Sequence, residues 1–164
     1  MRVGAGTSEN HEMEEYQVPK RRVRSRVLLD DGRILDCDVF TAVSSPDGRP
    51  QTVMERLNEP DDEFLPVACG EDRFLLNKSG IVTVQTTEPE ELKGLDPKAG
   101  RQVPVRLSLT GGISLLGRFH IVMPPEQSRV IDFLNRSPRF LPMLGEDKVT
   151  LVQRSYIVAV RSQV

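Results

Sequence analysis

The chain matches itself, and this restricts its fold more than any other property, because a repeated unit must be able to join or stack two similar structures. Phe64-Leu65-Pro66 recurs as Phe140-Leu141-Pro142. An acidic turn follows each triplet, Gly70-Glu71-Asp72 in the first instance and Gly145-Glu146-Asp147 in the second. The next segment, Leu75 to Val84, lies over Leu151 to Val160 and keeps the apolar positions, a basic residue (Lys78, Arg154) and a serine (Ser79, Ser155). Upstream, Val53 to Asn58 aligns with Val130 to Asn135, and Asn closes both segments. Still earlier, Arg26 to Val39 matches Arg106 to Phe119.

Local signals turn these segments into elements. Asp31-Gly32 and Gly111-Gly112 tolerate positive φ and sit between runs that alternate apolar with polar, so each reads as a hairpin. Val130, Phe133 and Leu134 fall at i, i+3 and i+4, which predicts a short helix with one apolar face, and Pro125-Glu126 supplies its first turn. Each copy is then strand, Gly turn, strand, short helix, strand, acidic turn, strand, with Leu75 to Val84 and Leu151 to Val160 as single strands. At roughly 65 residues, one copy is near the size where a lone core is marginal.

The expected fold class is mainly β (α+β), as two tandem small antiparallel β-barrel-like modules, each β-β-α-β-β. Copy 1 spans 20–88 and copy 2 spans 101–164, joined by a linker over 89–100 with Pro and Gly at its ends. Residues 1–19 have no apolar period and read as a flexible acidic tail. Composition agrees with strands: Trp is absent and aromatics reach 5%, leaving the core to Val, Leu and Ile, which suit a pleated surface.

Val105 to Phe119, an apolar alternation with a Gly turn at Gly111-Gly112 and a second Gly at Gly117, resembles the first signature of Sm-like small barrels. Val152 to Val160 is similar to the second signature, where a basic residue and a Gly precede an apolar strand. Gly80 stands at that Gly in copy 1 and Tyr156 in copy 2. The resemblance implies a small-barrel architecture and, as a functional alternative, single-stranded nucleic-acid binding.

No catalytic constellation is legible. Of the two histidines, His11 falls in the tail, and His120 is expected to face solvent because strand alternation puts it opposite Phe119. Asp36 and Asp38 share a strand face, and Asp61-Asp62-Glu63 form a run that reads as a solvated loop rather than a cation site. Gly4-Ala5-Gly6-Thr7-Ser8 lacks the Lys of a phosphate loop. Cys37 and Cys69 are not spaced as a zinc site and read as buried reduced thiols. No catalytic residue, metal or cofactor is assigned, and the chain is expected not to be an enzyme.

Charge is divided between the copies. Copy 2 has nine basic against four acidic residues, a net +5, whereas copy 1 has ten against thirteen, a net −3. In Lys20 to Arg26, alternation puts Arg22, Arg24 and Arg26 on one face as a stripe, which could dock a partner or simply guard a sheet edge. These three, with Arg106, Arg118, Arg129, Arg136, Arg139 and Arg154 of copy 2, are the candidate contacts to nucleic acid or to an acidic partner. The leading expectation is a non-catalytic interaction or adaptor module that binds a protein partner. The alternative is an Sm-like single-stranded nucleic-acid binder using the arginine-rich strand and basic copy 2. No membrane span or secretion signal is apparent, so a cytoplasmic protein is expected, with homo-oligomers open to it through sheet edges.

Overall fold

β1 (Lys20–Leu29) and β2 (Ile34–Ala42) form the first hairpin, in register from Lys20 opposite Ala42 to Leu28 opposite Ile34. Val23, Val27, Cys37 and Val39 are buried while their neighbours Arg22, Arg24 and Arg26 stay outside, as period-two alternation requires. Gly32 makes the turn at φ 89°, a conformation open to glycine at no steric cost. The computed structural model describes residues 20–93, 95, 98–127 and 129–163. The tail assigned to 1–19, with Gly4 to Ser8 and His11, lies outside the described residues.

After β2 come helix α1 (Val53–Leu57), β3 (Phe64–Cys69), β4 (Asp72–Asn77), a 3-10 turn (Lys78–Gly80) and β5 (Ile81–Thr86). Helix α2 (Pro89–Lys93) occupies the start of the linker. The second half runs β6 (Arg101–Leu109), β7 (Ile113–Ile121), a 3-10 turn (Pro125–Gln127), α3 (Val130–Arg136), β8 (Phe140–Leu144), β9 (Val149–Gln153), a 3-10 turn (Arg154–Tyr156) and β10 (Ile157–Ser162). Among the described residues, no helix is long and apolar enough to cross a membrane.

The ten strands make one antiparallel sheet in the order β10-β6-β7-β8-β9-β5-β1-β2-β3-β4. The sequence predicts two tandem barrel-like modules; the strands instead form a single open sheet, with β10 and β4 at its two ends. Leu75 to Val84 is also not a single strand. Asn77 caps the intervening turn by accepting from the Ser79 N–H. The break lets β4 stay on β3 while β5 crosses to β1 and β9. Leu151 to Val160 breaks in the same place, at Arg154–Tyr156.

The basic residue kept in both turns has a structural task. Lys78 is fully buried and its Nζ donates to the Glu59 carbonyl at 3.2 Å, just past the end of α1. Arg154 donates to the Ser137 and Leu134 carbonyls at the end of α3. Both side chains donate to backbone carbonyls at or just beyond a helix C-terminus and so tie each turn to its helix. Burial pushes the Lys78 ammonium below its ordinary pKa.

Two apolar cores result, and neither is confined to one half. The first joins Val53, Leu57, Ile81 and Val84 to Phe140, Leu144, Val149 and Leu151 from β8 and β9. The second takes Val82 from β5 alongside Val103, Leu107, Phe119, Leu141 and Val152. Val130, Phe133 and Leu134 of α3 pack on it as their spacing predicts, with the Phe119 and Phe133 rings 5.0 Å apart. Gly117 permits the close approach of β8 to β7, since a Cβ there would lie 2.7 Å from Met143 Cγ. A fully buried Leu or Val contributes about 1.5–3 kcal/mol, so the halves depend on each other for a substantial part of their stability.

Candidate interaction surface

The arginine stripe of β1 meets acids directly across the hairpin. Arg24 is opposite Asp38 and Arg26 opposite Asp36 in the β1–β2 register. Arg26 Nε donates to Asp36 at 2.9 Å, and Arg22 and Arg24 lie 3.6 and 3.7 Å from the two Asp38 oxygens. The hydrogen bond from Arg26 holds the Asp36 carboxyl below the usual carboxylate range. Arg22 and Arg73 also stack over the Phe40 ring at 5.3 and 5.5 Å. The stripe is exposed, but its charge is largely balanced in place.

The second-half arginines are dispersed, and most of those with described contacts serve the fold. Arg118 donates to Gln102 at 2.8 Å and to the Gly145 carbonyl at 3.2 Å. Arg129 pairs with Asp132 at 2.8 Å across the first turn of α3, and Arg136 lies in its last turn. Arg139 bridges the halves, reaching Glu63 and Ser79 at 3.1 Å and Gln153 at 2.9 Å. Arg106 differs. It is exposed and directly opposite Arg161 of β10, and uncompensated like charges on facing strands are destabilising. Arg161 belongs beside it as a candidate contact, but the pairing follows from register between distant strands, which no local pattern announces.

The carboxylate run at 61–63 is solvated, and two of its members are paired. Asp62 pairs with the buried Arg56 at 2.7 Å, and Glu63 takes the Arg139 pair. Among the described residues no three His, Cys, Asp or Glu side chains converge as a metal site would require. Cys37 is buried and its thiol is pushed up to about 12 by burial, with Cys69 beside it. Cys69 is only partly covered, against the expectation that both would be buried. Buried Glu91 of α2 accepts from the Val53 and Met54 N–H groups at the start of α1, and burial raises its pKa.

His120 corrects the sequence reading most clearly. It is 7% exposed rather than solvent-facing, because both faces of β7 are covered at this end, where Phe119 and Ile121 are buried too. Neither ring nitrogen has a hydrogen-bond partner among the described residues.

The largest contrast in the molecule lies along the sheet ends. Phe64 is 54% exposed while Phe140, its counterpart in the repeat, is fully buried. Leu75 on β4 is 64% exposed while Leu151 on β9 is fully buried. Val158 on β10 is 69% exposed while Val82 on β5 is 2% exposed. Beside β10, an open groove is lined by Val130, Leu134 and Asn135 of α3 and by Ile157, Val158 and Val160. Sequence reasoning did not single out these apolar residues, although the alignment of the two copies contains each pair. Comparison with protein-family models, with characterised proteins and with solved structures found no match to the chain.

Proposed function

We propose that the chain is a non-catalytic interaction module built from two diverged copies of one small β unit, and that it binds a protein partner by strand pairing at its sheet ends. The observation that carries this reading is the pair of terminal strands, β4 and β10, whose apolar side chains Leu75 and Val158 stand in solvent. An open strand offers unpaired backbone groups, and the apolar residues beside it supply the pockets and anchors that give such pairing selectivity. The recurring order of strands and helix in the two halves supports the duplication.

Single-stranded nucleic acid, bound through Arg22, Arg24, Arg26 and the second-half arginines, is the weaker reading. Phosphate binding draws on unbalanced positive charge, whereas the β1 stripe is set against Asp36 and Asp38. Within the basic second half, Phe119 and Phe140 are fully buried and offer no base a ring to stack on.

Co-purification from the cells that make the protein tests the reading. A partner protein is expected to be retained by the wild type and by Arg24→Ala, and lost by Leu75→Asp or Val158→Asp. Retention by all four, or salt-sensitive binding of a labelled single-stranded oligonucleotide with no change in the edge variants, would overturn it.

A further inference from the structure

The one place where two halves already meet shows what an open edge of this protein accepts. β5 and β9 pair with Thr83 opposite Val152, Val84 opposite Leu151, Gln85 opposite Thr150 and Thr86 opposite Val149. In the internal repeat β4 is the counterpart of β9, and β10 is the counterpart of β5. The two strands left at the ends of the sheet are therefore the same two kinds of strand that pair with each other in the middle.

We infer that the occupant of these edges is a second copy of this chain, docked head to tail with its β4 on β10. This rests on the reading of the edges as binding surfaces and names their partner. Transferring the internal register sets Ala159 opposite Leu76, Val160 opposite Leu75, Arg161 opposite Phe74 and Ser162 opposite Arg73 of the next chain.

Three further features of the internal junction have waiting equivalents. First, Asn58 at the end of α1 clasps the Phe140 backbone, donating to its carbonyl at 2.9 Å and accepting from its N–H at 2.8 Å. Its counterpart Asn135 is exposed at the end of α3, and the counterpart of Phe140 is the exposed Phe64. Second, Phe140 and Leu151 fill the space between α1 and β5 with Val53, Leu57 and Val84. The equivalent space between α3 and β10 is the open groove lined by Val130, Leu134 and Val160. Phe64 and Leu75 of the next chain are the side chains that fit it.

Third, charge is complementary. Copy 2 (101–164) carries net +5 and copy 1 (20–88) net −3, so head-to-tail docking sets opposite charges together. The transferred register makes Asp72 a diagonal neighbour of Arg161, which relieves the Arg106 and Arg161 juxtaposition. The match is not identical throughout, since Arg73 stands where Val149 does in the internal junction. Because the two surfaces differ, the contact is heterologous and propagates, closing into a ring if the rotation between chains allows it.

Sedimentation of the full chain over a range of concentrations tests this. The wild type is expected to sediment as an assembly of several chains, and Leu75→Asp and Val158→Asp each as a single chain. Both substituted residues are exposed in the single chain, so circular dichroism should be unchanged. Each variant keeps one intact edge of opposite kind, so mixing them should give a one-to-one pair. Asn135→Ala should weaken assembly by about tenfold, the effect of a lost hydrogen-bonding side chain of roughly 1.4 kcal/mol. A wild type that remains single at every concentration, or a single-edge variant that still dimerises with itself, would overturn the inference. If a single-chain wild type nevertheless loses its co-purified protein on Leu75→Asp, self-docking alone falls; if co-purification ignores the edges, the broader reading falls with it.

Discussion

His120 holds two ring nitrogens in a covered position without a hydrogen-bond partner among the described residues. Leaving a buried polar group unsatisfied costs about 1–3 kcal/mol, and no gain within the described fold offsets that cost. Replacing it by Phe or Leu is therefore expected to raise stability by about 1 kcal/mol, or roughly 2–4 °C in thermal midpoint for a chain of this size. Thermal unfolding followed by circular dichroism measures this, and a loss of similar size would show that the imidazole makes an interaction missing from this account. The residue also marks a boundary of sequence reasoning. Alternation correctly buries Val23, Val27, Cys37 and Val39 on β1 and β2, where one face is solvated. It fails at Phe119-His120-Ile121, where both faces are covered and period two no longer separates inside from outside.

At the level of elements, the short-range signals were legible. Asp31-Gly32 forms the first turn, and Val130, Phe133 and Leu134 pack one face of α3 onto the second core. The apolar run from Leu75 to Val84 reads as one strand by its apolar positions, although Ser79-Gly80 is itself a turn dipeptide and lies in the three-residue 3-10 turn, Lys78–Gly80, that interrupts it. What divides it is the local cap from Asn77 to the Ser79 N–H and the burial of Lys78, and the second of these depends on the loop after α1 being nearby. Asn58 ties α1 to β8 through two hydrogen bonds to the Phe140 backbone. Asn58→Ala removes the partners of both the N–H and the C=O of buried Phe140 and should cost about 2 kcal/mol in denaturant unfolding. A change below about 0.5 kcal/mol, the scale of an ordinary surface substitution, would mean that the junction between the halves is held by apolar contact alone.

In the whole molecule, ten strands form one sheet in which β9 and β5 join the halves and β4 and β10 terminate it. The repeat made the similarity of the halves legible, but not their junction. Strand order across 164 residues is decided by long-range pairing and by which apolar faces find each other, and the same repeat is compatible with separate barrels or a shared sheet. The arginine residues show the same limit: their exposure on β1 follows from alternation, while their neutralisation by Asp36 and Asp38 follows from register. Equivalent strands differ in exposure because β5 and β9 are joined while β10 and β4 are open. Hydrogen–deuterium exchange read by mass spectrometry addresses this directly. In dilute protein the amides of β5 and β9 should exchange slowly and those of β4 and β10 quickly, with protection of β4 and β10 appearing as protein concentration rises or a partner is added. Terminal strands whose exchange is as slow as that of β5 and β9 at every dilution, or whose exchange never responds to concentration or partner, would contradict the account.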